Sequence, residues 1–201
     1  MPNRMPNSSR LATLALVPLL LAGGVSGAAA AEDGRPPAEP FARNSLGVEF
    51  GATALVEAWN LNERREWLAC GHVSVWWALH DRVALVMELQ ATRVMQSPAR
   101  AGFVQGFTPL VRFRLATLRP LGLFAELGPG ISWSDTRVPP RGTRFNYLWV
   151  VGGGVSRRLA RHAEAVAAFR WLHLSNNGRE GRDRNPDIEA LGPYAGVRLS
   201  F

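Results

Sequence analysis

Residues 45–201 alternate apolar with small or polar side chains over eight long segments, and this period of two is the strongest constraint on the fold. Successive side chains of a β-strand point to opposite faces, so each segment is expected to form one strand. The predicted strands are 45–58, 68–79, 83–95, 103–118, 121–133, 144–158, 163–175 and 189–201. The connections between them are alternately long and short. This pattern predicts an all-β, eight-stranded antiparallel up-and-down barrel.

The two faces of the predicted strands differ in polarity in a way that favours a transmembrane barrel. In segment 121–133 the odd positions are mostly large and apolar, as at Leu127 and Trp133, whereas the even positions are mostly Gly, Ser or Glu. An eight-stranded barrel has room inside only for side chains, so inward Glu and Arg residues are expected to pair there. Strands of this length can cross a bilayer, and short turns alternating with longer loops are typical of outer-membrane barrels. A soluble lipocalin-like barrel, with an apolar interior and a polar exterior, is the alternative.

The first 31 residues have the pattern of a cleaved secretory signal peptide. Arg4 and Arg10 precede an apolar stretch at 11–21, and the alanines at 28–31 offer a cleavage site. Residues 32–44 are then expected to form an N-terminal periplasmic segment, and residues 45–201 the barrel. The exported chain is predicted to be a multi-pass protein of the bacterial outer membrane.

Composition excludes several other classes of protein. All 23 basic residues are Arg, against 16 acidic residues, and the formal net charge is +7. Because the arginines are spread over the predicted lumen, turns and loops without interleaved aromatics, no nucleic-acid partner is expected. The chain has no zinc-protease, P-loop or Cys-x-x-Cys motif, so neither a metal nor a cofactor is expected. The single Cys70 is expected to be buried.

His173 and Ser175 are neighbours on one face of the seventh predicted strand, because residues i and i+2 of a strand point the same way. Their parity puts them on the lipid side, at the strand end predicted to reach the outer leaflet. A His beside a Ser hydroxyl can act as a general base, and a carboxylate on its other ring nitrogen can orient it. The following loop and strand offer such carboxylates in Asp183, Asp187 and Glu189. Asn176, or a backbone N–H of residues 177–178, is a candidate donor to an oxyanion.

The C-terminal part of the chain resembles the outer-membrane lipid A 3-O-deacylase (PagL) family. The resemblance lies in the pattern F-x-x-x-H-x-S-N at 169–176, the Gly at 178 and the Ile-Glu pair at 188–189. The signal peptide, the eight predicted strands and the C-terminal Phe also agree with that family.

The resemblance implies a role for each residue of the pattern. Ser175 would be the nucleophile, His173 the general base, Glu189 the residue that orients it and Asn176 an oxyanion donor. The reaction implied is hydrolysis of the ester-linked hydroxyacyl chain at position 3 of lipid A, without a cofactor and with the site facing the outer leaflet. The segment from Ser175 to Glu189 is slightly longer than the family pattern, which leaves Asp187 as an alternative acid.

The expected partner is lipid A or lipopolysaccharide in the outer membrane. Arg179, Arg182 and Arg184 are candidate ligands for lipid A phosphates, or else a solvated loop that attracts lipopolysaccharide without selectivity. Trp171, on the outer face, is a further candidate for substrate binding. The alternative function is a noncatalytic barrel for adhesion or membrane integrity. Both a monomer and a homodimer are compatible with the sequence.

Overall fold

The computed structural model describes residues 43–58, 66–97 and 99–201. The predicted signal peptide, 1–31, and most of the predicted periplasmic segment, 32–44, lie outside the described residues. Within the described ranges, no helix is long and apolar enough to cross a membrane.

Eight antiparallel strands form one closed sheet, in which each strand pairs with its neighbours in chain order and the last pairs with the first. The strands are β1 Leu46–Glu57, β2 Trp67–His80, β3 Val83–Met95, β4 Gly102–Leu118, β5 Leu121–Val138, β6 Thr143–Ala160, β7 Ala163–Ser175 and β8 Ile188–Ser200. The predicted eight-stranded up-and-down barrel is confirmed. We call the end that carries the β1–β2, β3–β4, β5–β6 and β7–β8 connections the long-loop end, and the opposite end the short-turn end.

The third long loop is much shorter than the predicted 134–143, because β5 continues to Val138 and β6 begins at Thr143. Ser134 and Asp135 are polar and were therefore expected to leave the sheet. Instead Ser134 points inward and donates a hydrogen bond to a backbone carbonyl of β6, and Asp135 accepts the backbone N–H of Phe103. A sheet that extends beyond the apolar band of a membrane tolerates polar residues, so polarity alone does not mark a strand end. The turn predicted at 159–162 is likewise shorter, since β6 runs to Ala160.

The outward-pointing side chains form an apolar wall. Large apolar residues that are about half exposed lie on strands around the whole barrel, for example Phe50, Leu89, Leu115, Ile131 and Phe169. An apolar surface of this extent is what a transmembrane barrel presents to lipid. The lipocalin-like alternative requires a polar exterior and is wrong for this chain.

Paired charges occupy part of the lumen, as the inward Glu and Arg residues predicted, and a cluster of buried apolar side chains occupies another part. Glu49 accepts two hydrogen bonds from Arg112, at 2.7 and 3.0 Å, and one from the Nε of Arg198 at 2.8 Å. Glu126 lies 2.7 Å from both Arg112 and Arg170 and joins them. These side chains are all nearly inaccessible to solvent. Because a buried charge without a partner is costly, the network holds the strands in one arrangement and supports the outer wall.

Candidate active site on the outer wall

The end of β7 carries a polar pair on the otherwise apolar outer wall. His173 and Ser175 point to the same outward face, and the Nε2 of His173 lies 2.9 Å from the Oγ of Ser175. Glu189 of β8 stands directly opposite His173 in the strand register, and its Oε1 lies 2.6 Å from the Nδ1 of His173. The β7–β8 pairing therefore brings Ser175, His173 and Glu189 into one line of hydrogen bonds.

The direction of these hydrogen bonds follows from the chemistry of the groups. An ionised carboxylate can only accept, so the Nδ1 of His173 donates to Glu189. In a neutral imidazole the other nitrogen then carries the lone pair, and Nε2 accepts the hydroxyl proton of Ser175. A histidine held in this tautomer can remove that proton and leave the serine oxygen nucleophilic.

Aromatic side chains surround the polar pair. The ring of Trp171 stacks on the imidazole of His173, with centroids 5.9 Å apart and an interplanar angle of 24°. On the neighbouring β6, Tyr147 pairs with Ser175 and Trp149 pairs with His173. The side chain of His173 is 21% exposed, so the imidazole is accessible from the outer face while most of its surface is covered.

Asp187, the second candidate acid, lies close to the line of hydrogen bonds, in which Glu189 is the acid bonded to Nδ1. The carboxylates of Asp187 and Glu189 and a ring nitrogen of His173 lie within 4.8 Å of one another. Three ligand atoms at this spacing are also close enough to share a cation. A cation at Nδ1 would have to replace the hydrogen bond from His173 to Glu189.

The loop after β7 is held by Asn176, the candidate oxyanion donor. Its Oδ1 accepts the backbone N–H of Gly178 at 2.9 Å, and its Nδ2 donates to the backbone carbonyl of Arg184. One hydrogen of Nδ2 remains, because an amide nitrogen carries two. The chain turns sharply beyond it, with positive φ angles at Asn177 and Gly178 of 54° and 73°.

Asn185 is a residue of this site that the sequence analysis missed. Its Oδ1 accepts the backbone N–H of Asn176 at 3.0 Å and so ties the far side of the loop to the residue after Ser175. A loop has no periodicity that would mark such a residue. The signal available in the sequence is the Asn-Pro dipeptide at 185–186, which favours a turn.

The three candidate arginines lie in different surroundings. Arg179 contacts the aromatic wall, with its Nη1 3.4 Å from the hydroxyl of Tyr147 and its guanidinium 5.6 Å from the ring centroid of Phe145. Arg182 lies exposed in the 3₁₀ turn Arg182–Arg184. Arg184 forms an exposed ion pair with Glu180 at 3.3 Å.

The fold and the site together define a class of protein, the outer-membrane β-barrels that carry a Ser–His–carboxylate arrangement on their lipid-facing wall. The family model described as "Lipid A 3-O-deacylase (PagL)" matches residues 44–198, and the chain belongs to that family. The resemblance identified from the sequence is thereby confirmed. No curated protein sequence matches the chain significantly.

Solved structures of outer-membrane barrels are similar to the chain in fold. Neisserial surface protein A (NspA) shares 12% identity over 78% of this chain and 97% of its own, with a TM-score of 0.62. The outer membrane enzyme PagL shares 14% identity over 76% of this chain and 98% of its own, with a TM-score of 0.52. OprG from Pseudomonas aeruginosa shares 11% identity over 81% of this chain and 99% of its own, also with a TM-score of 0.52. These likenesses agree with the fold, and membership of the PagL family indicates that this barrel belongs to the bacterial outer membrane.

Proposed function

We propose that this protein hydrolyses the ester-linked hydroxyacyl chain at position 3 of lipid A, with Ser175 as nucleophile, His173 as general base and Glu189 as the residue that orients it. The observation that carries the proposal is the line of hydrogen bonds from Glu189 through His173 to Ser175 on a wall that faces lipid. A buried ester of a membrane glycolipid can reach a site in this position without leaving the bilayer. Membership of the lipid A 3-O-deacylase family supports the same substrate.

The reaction proceeds in two halves. As the Oγ of Ser175 attacks the ester carbonyl, the Nε2 of His173 takes its proton, and the Nδ1–H bond to Glu189 stabilises the imidazolium that forms. The bond from the carbonyl carbon to the sugar oxygen then breaks, and His173 gives its proton to that oxygen. Water, deprotonated by His173, attacks the acyl-enzyme and releases the hydroxy fatty acid, which restores the hydroxyl of Ser175.

The tetrahedral intermediate of each half carries a negative oxygen that needs donors. Asn176 is the proposed side-chain donor, through the Nδ2 hydrogen that does not bind the carbonyl of Arg184. Donors fixed before the reaction are effective because they need not reorient as the charge develops. The hydrogen bonds of Asn176 to Gly178 and Asn185 hold it in this way.

The substrate is proposed to lie against the aromatic wall with its head group at the long-loop end, which then faces the cell exterior. Trp171 and Trp149 would contact the acyl chains, since both rings lie on the outward face beside His173. Arg179 is the best placed of the candidate arginines for a lipid A phosphate, because it contacts Tyr147, the register partner of Ser175 on β6. Arg182 and Arg184 would add a weaker attraction for the polyanionic surface.

A fluorophosphonate that reacts with activated serines tests the nucleophile. We expect the folded barrel to form a covalent adduct on the peptide that contains Ser175, and Glu189→Gln to slow its formation. Ser175→Ala should form no adduct. Equal labelling of wild type and Ser175→Ala, or none in a folded wild type, would favour the noncatalytic barrel for adhesion or membrane integrity.

A further inference from the structure

A cavity of about 320 Å³ lies at the long-loop end, between the β3–β4 and β5–β6 connections. Three arginines line it, Arg100, Arg137 and Arg144, together with four residues that carry no charge. Its volume is within the range of small-ligand sites. The cavity is separate from Ser175, which lies on the outer wall of β7.

The charges around this cavity are not balanced as they are elsewhere in the barrel. Each of the lumen arginines Arg112, Arg170 and Arg198 forms ion pairs with buried glutamates. In contrast, no carboxylate of the described residues pairs with Arg100, Arg137 or Arg144, and none lines the cavity. Like charges gathered around one space repel one another, and an anion in that space removes the repulsion.

The arginine side chains are exposed, and the backbone that carries two of them is held in position by Gln96. Gln96 is 4% exposed, and its Nε2 donates to the backbone carbonyls of Arg100 at 3.0 Å and Arg137 at 3.3 Å. This one side chain therefore fixes the backbone at two of the three arginines, Arg100 in the β3–β4 connection and Arg137 near the end of β5. Its Oε1 is buried and has no hydrogen-bond partner among the described residues.

The β5–β6 connection is fixed from its other side by Asn146. The Nδ2 of Asn146 donates to the carbonyls of Val138 at 3.0 Å and Thr143 at 3.3 Å, on the two sides of the connection. Loops that are ordered before binding lose less entropy when a ligand arrives. The backbone around the cavity is thus ordered before a ligand arrives.

We propose that this cavity binds an anionic sugar of the saccharide core attached to lipid A. Guanidinium groups match phosphate and carboxylate in geometry and charge, so the three arginines suit an anionic sugar. Tyr147 of β6 pairs with Ser175. Arg144 precedes Tyr147 on the same strand by three residues, so these two residues are about 10 Å apart along β6. A glycolipid whose ester lies at Ser175 would then present its core at the cavity. The identity of the glycolipid rests on the proposed function.

Calorimetric titration of the folded barrel in zwitterionic detergent tests this proposal without requiring ester cleavage. The ligand is the core oligosaccharide released from lipopolysaccharide by mild acid, which carries no acyl chains, and a phosphatase-treated sample serves for comparison. The double variant Arg100→Gln/Arg144→Gln is expected to bind the phosphorylated oligosaccharide at least about tenfold more weakly than wild type. Arg82→Gln/Arg161→Gln removes the same charge at the short-turn end and should bind as wild type does.

The arms of the titration separate the sources of the anion. Weaker binding after phosphatase treatment assigns the phosphate, whereas unchanged binding that still requires Arg100 and Arg144 assigns a sugar carboxylate. Equal affinity of the cavity variant and the control variant, or no binding to folded wild type, overturns the proposal. Ester cleavage without oligosaccharide binding would refute only the proposal that the cavity binds a core sugar. Oligosaccharide binding without ester cleavage would refute only the proposed function.

Discussion

Glu189 and His173 face each other across the β7–β8 ladder, with the carboxylate Oε1 2.6 Å from the imidazole Nδ1. Because the two residues are partners in the strand register, their contact does not depend on the conformation of the loop between them. Asp187 lies before β8 begins and depends on that loop for its position. The pairing of two strands therefore favours Glu189 as the orienting acid.

Replacing each of the two acids, in turn, with its amide tests this assignment. Glu189→Gln is expected to lower kcat by about 10²–10⁴-fold with little change in KM, because an amide cannot hold the reactive tautomer or stabilise the imidazolium. Asp187→Asn is expected to retain most of the activity. Initial rates of hydroxy fatty acid release from purified barrels measure both. A larger loss in Asp187→Asn than in Glu189→Gln would assign the role to Asp187 instead.

Asn176→Ala is expected to lower kcat by about 10²–10³-fold, because it removes the proposed oxyanion donor and the side chain that organises the loop. Asn177→Gly is the matched control. Asn177 has a positive φ of 54°, which Gly adopts without strain, and its backbone N–H is kept. Rates of acyl release should therefore fall in the first variant only. Similar rates in both would remove Asn176 from the mechanism.

Arg179→Gln is expected to raise KM for lipid A about tenfold and to leave kcat unchanged, since a phosphate contact far from the ester stabilises ground and transition states equally. Arg182→Gln, which changes an exposed side chain of the same loop, should have a smaller effect. Dephosphorylated lipid A checks the cause, because wild type and Arg179→Gln should have similar KM values for it. An equal rise in KM in both arginine variants would indicate attraction by the loop without selectivity.

Glu49→Leu is expected to lower the free energy of unfolding by about 3–5 kcal/mol, because it takes a shared partner from the buried Arg112 and Arg198. Urea titration of the barrel, followed by tryptophan fluorescence and gel migration, measures the loss. Glu180→Gln removes half of an exposed ion pair with Arg184 and should change stability by less than about 0.5 kcal/mol. Comparable losses in the two variants would mean that the lumen network contributes no more to the free energy of unfolding than an exposed ion pair does.

The strands were predictable because alternation of side chains is a local property that a membrane wall enforces on every strand. The same parity placed His173 and Ser175 on the outer face, and the antiparallel order brought Glu189 beside them. The continuation of β5 from its predicted end at 133 to Val138 was not predicted. Polar residues beyond the bilayer resemble a loop in sequence, although they continue the strand pairing.

Features built by the folding of loops could not be read from the sequence. Asn185 reaches Asn176 only because the β7–β8 loop folds back on itself. The arginine-lined cavity exists because the pairing of β4 with β5 places the start of β4 beside the end of β5, and Gln96 then joins the β3–β4 connection to β5. Contacts of this kind depend on tertiary geometry and carry no periodic signal.

The most direct test of the account is the mass spectrum of lipid A from Gram-negative cells that express this chain, beside cells that express Ser175→Ala. Heat-modifiable gel migration first establishes that both barrels fold in the outer membrane, and a dilution series of the purified wild type detects any inactive homodimer. The account predicts the loss of one hydroxyacyl chain from position 3 with wild type and unchanged lipid A with Ser175→Ala. Unchanged lipid A in cells with a folded wild type, when dilution of the purified wild type reveals no activity either, would contradict it. The same loss of the acyl chain with Ser175→Ala would also contradict it.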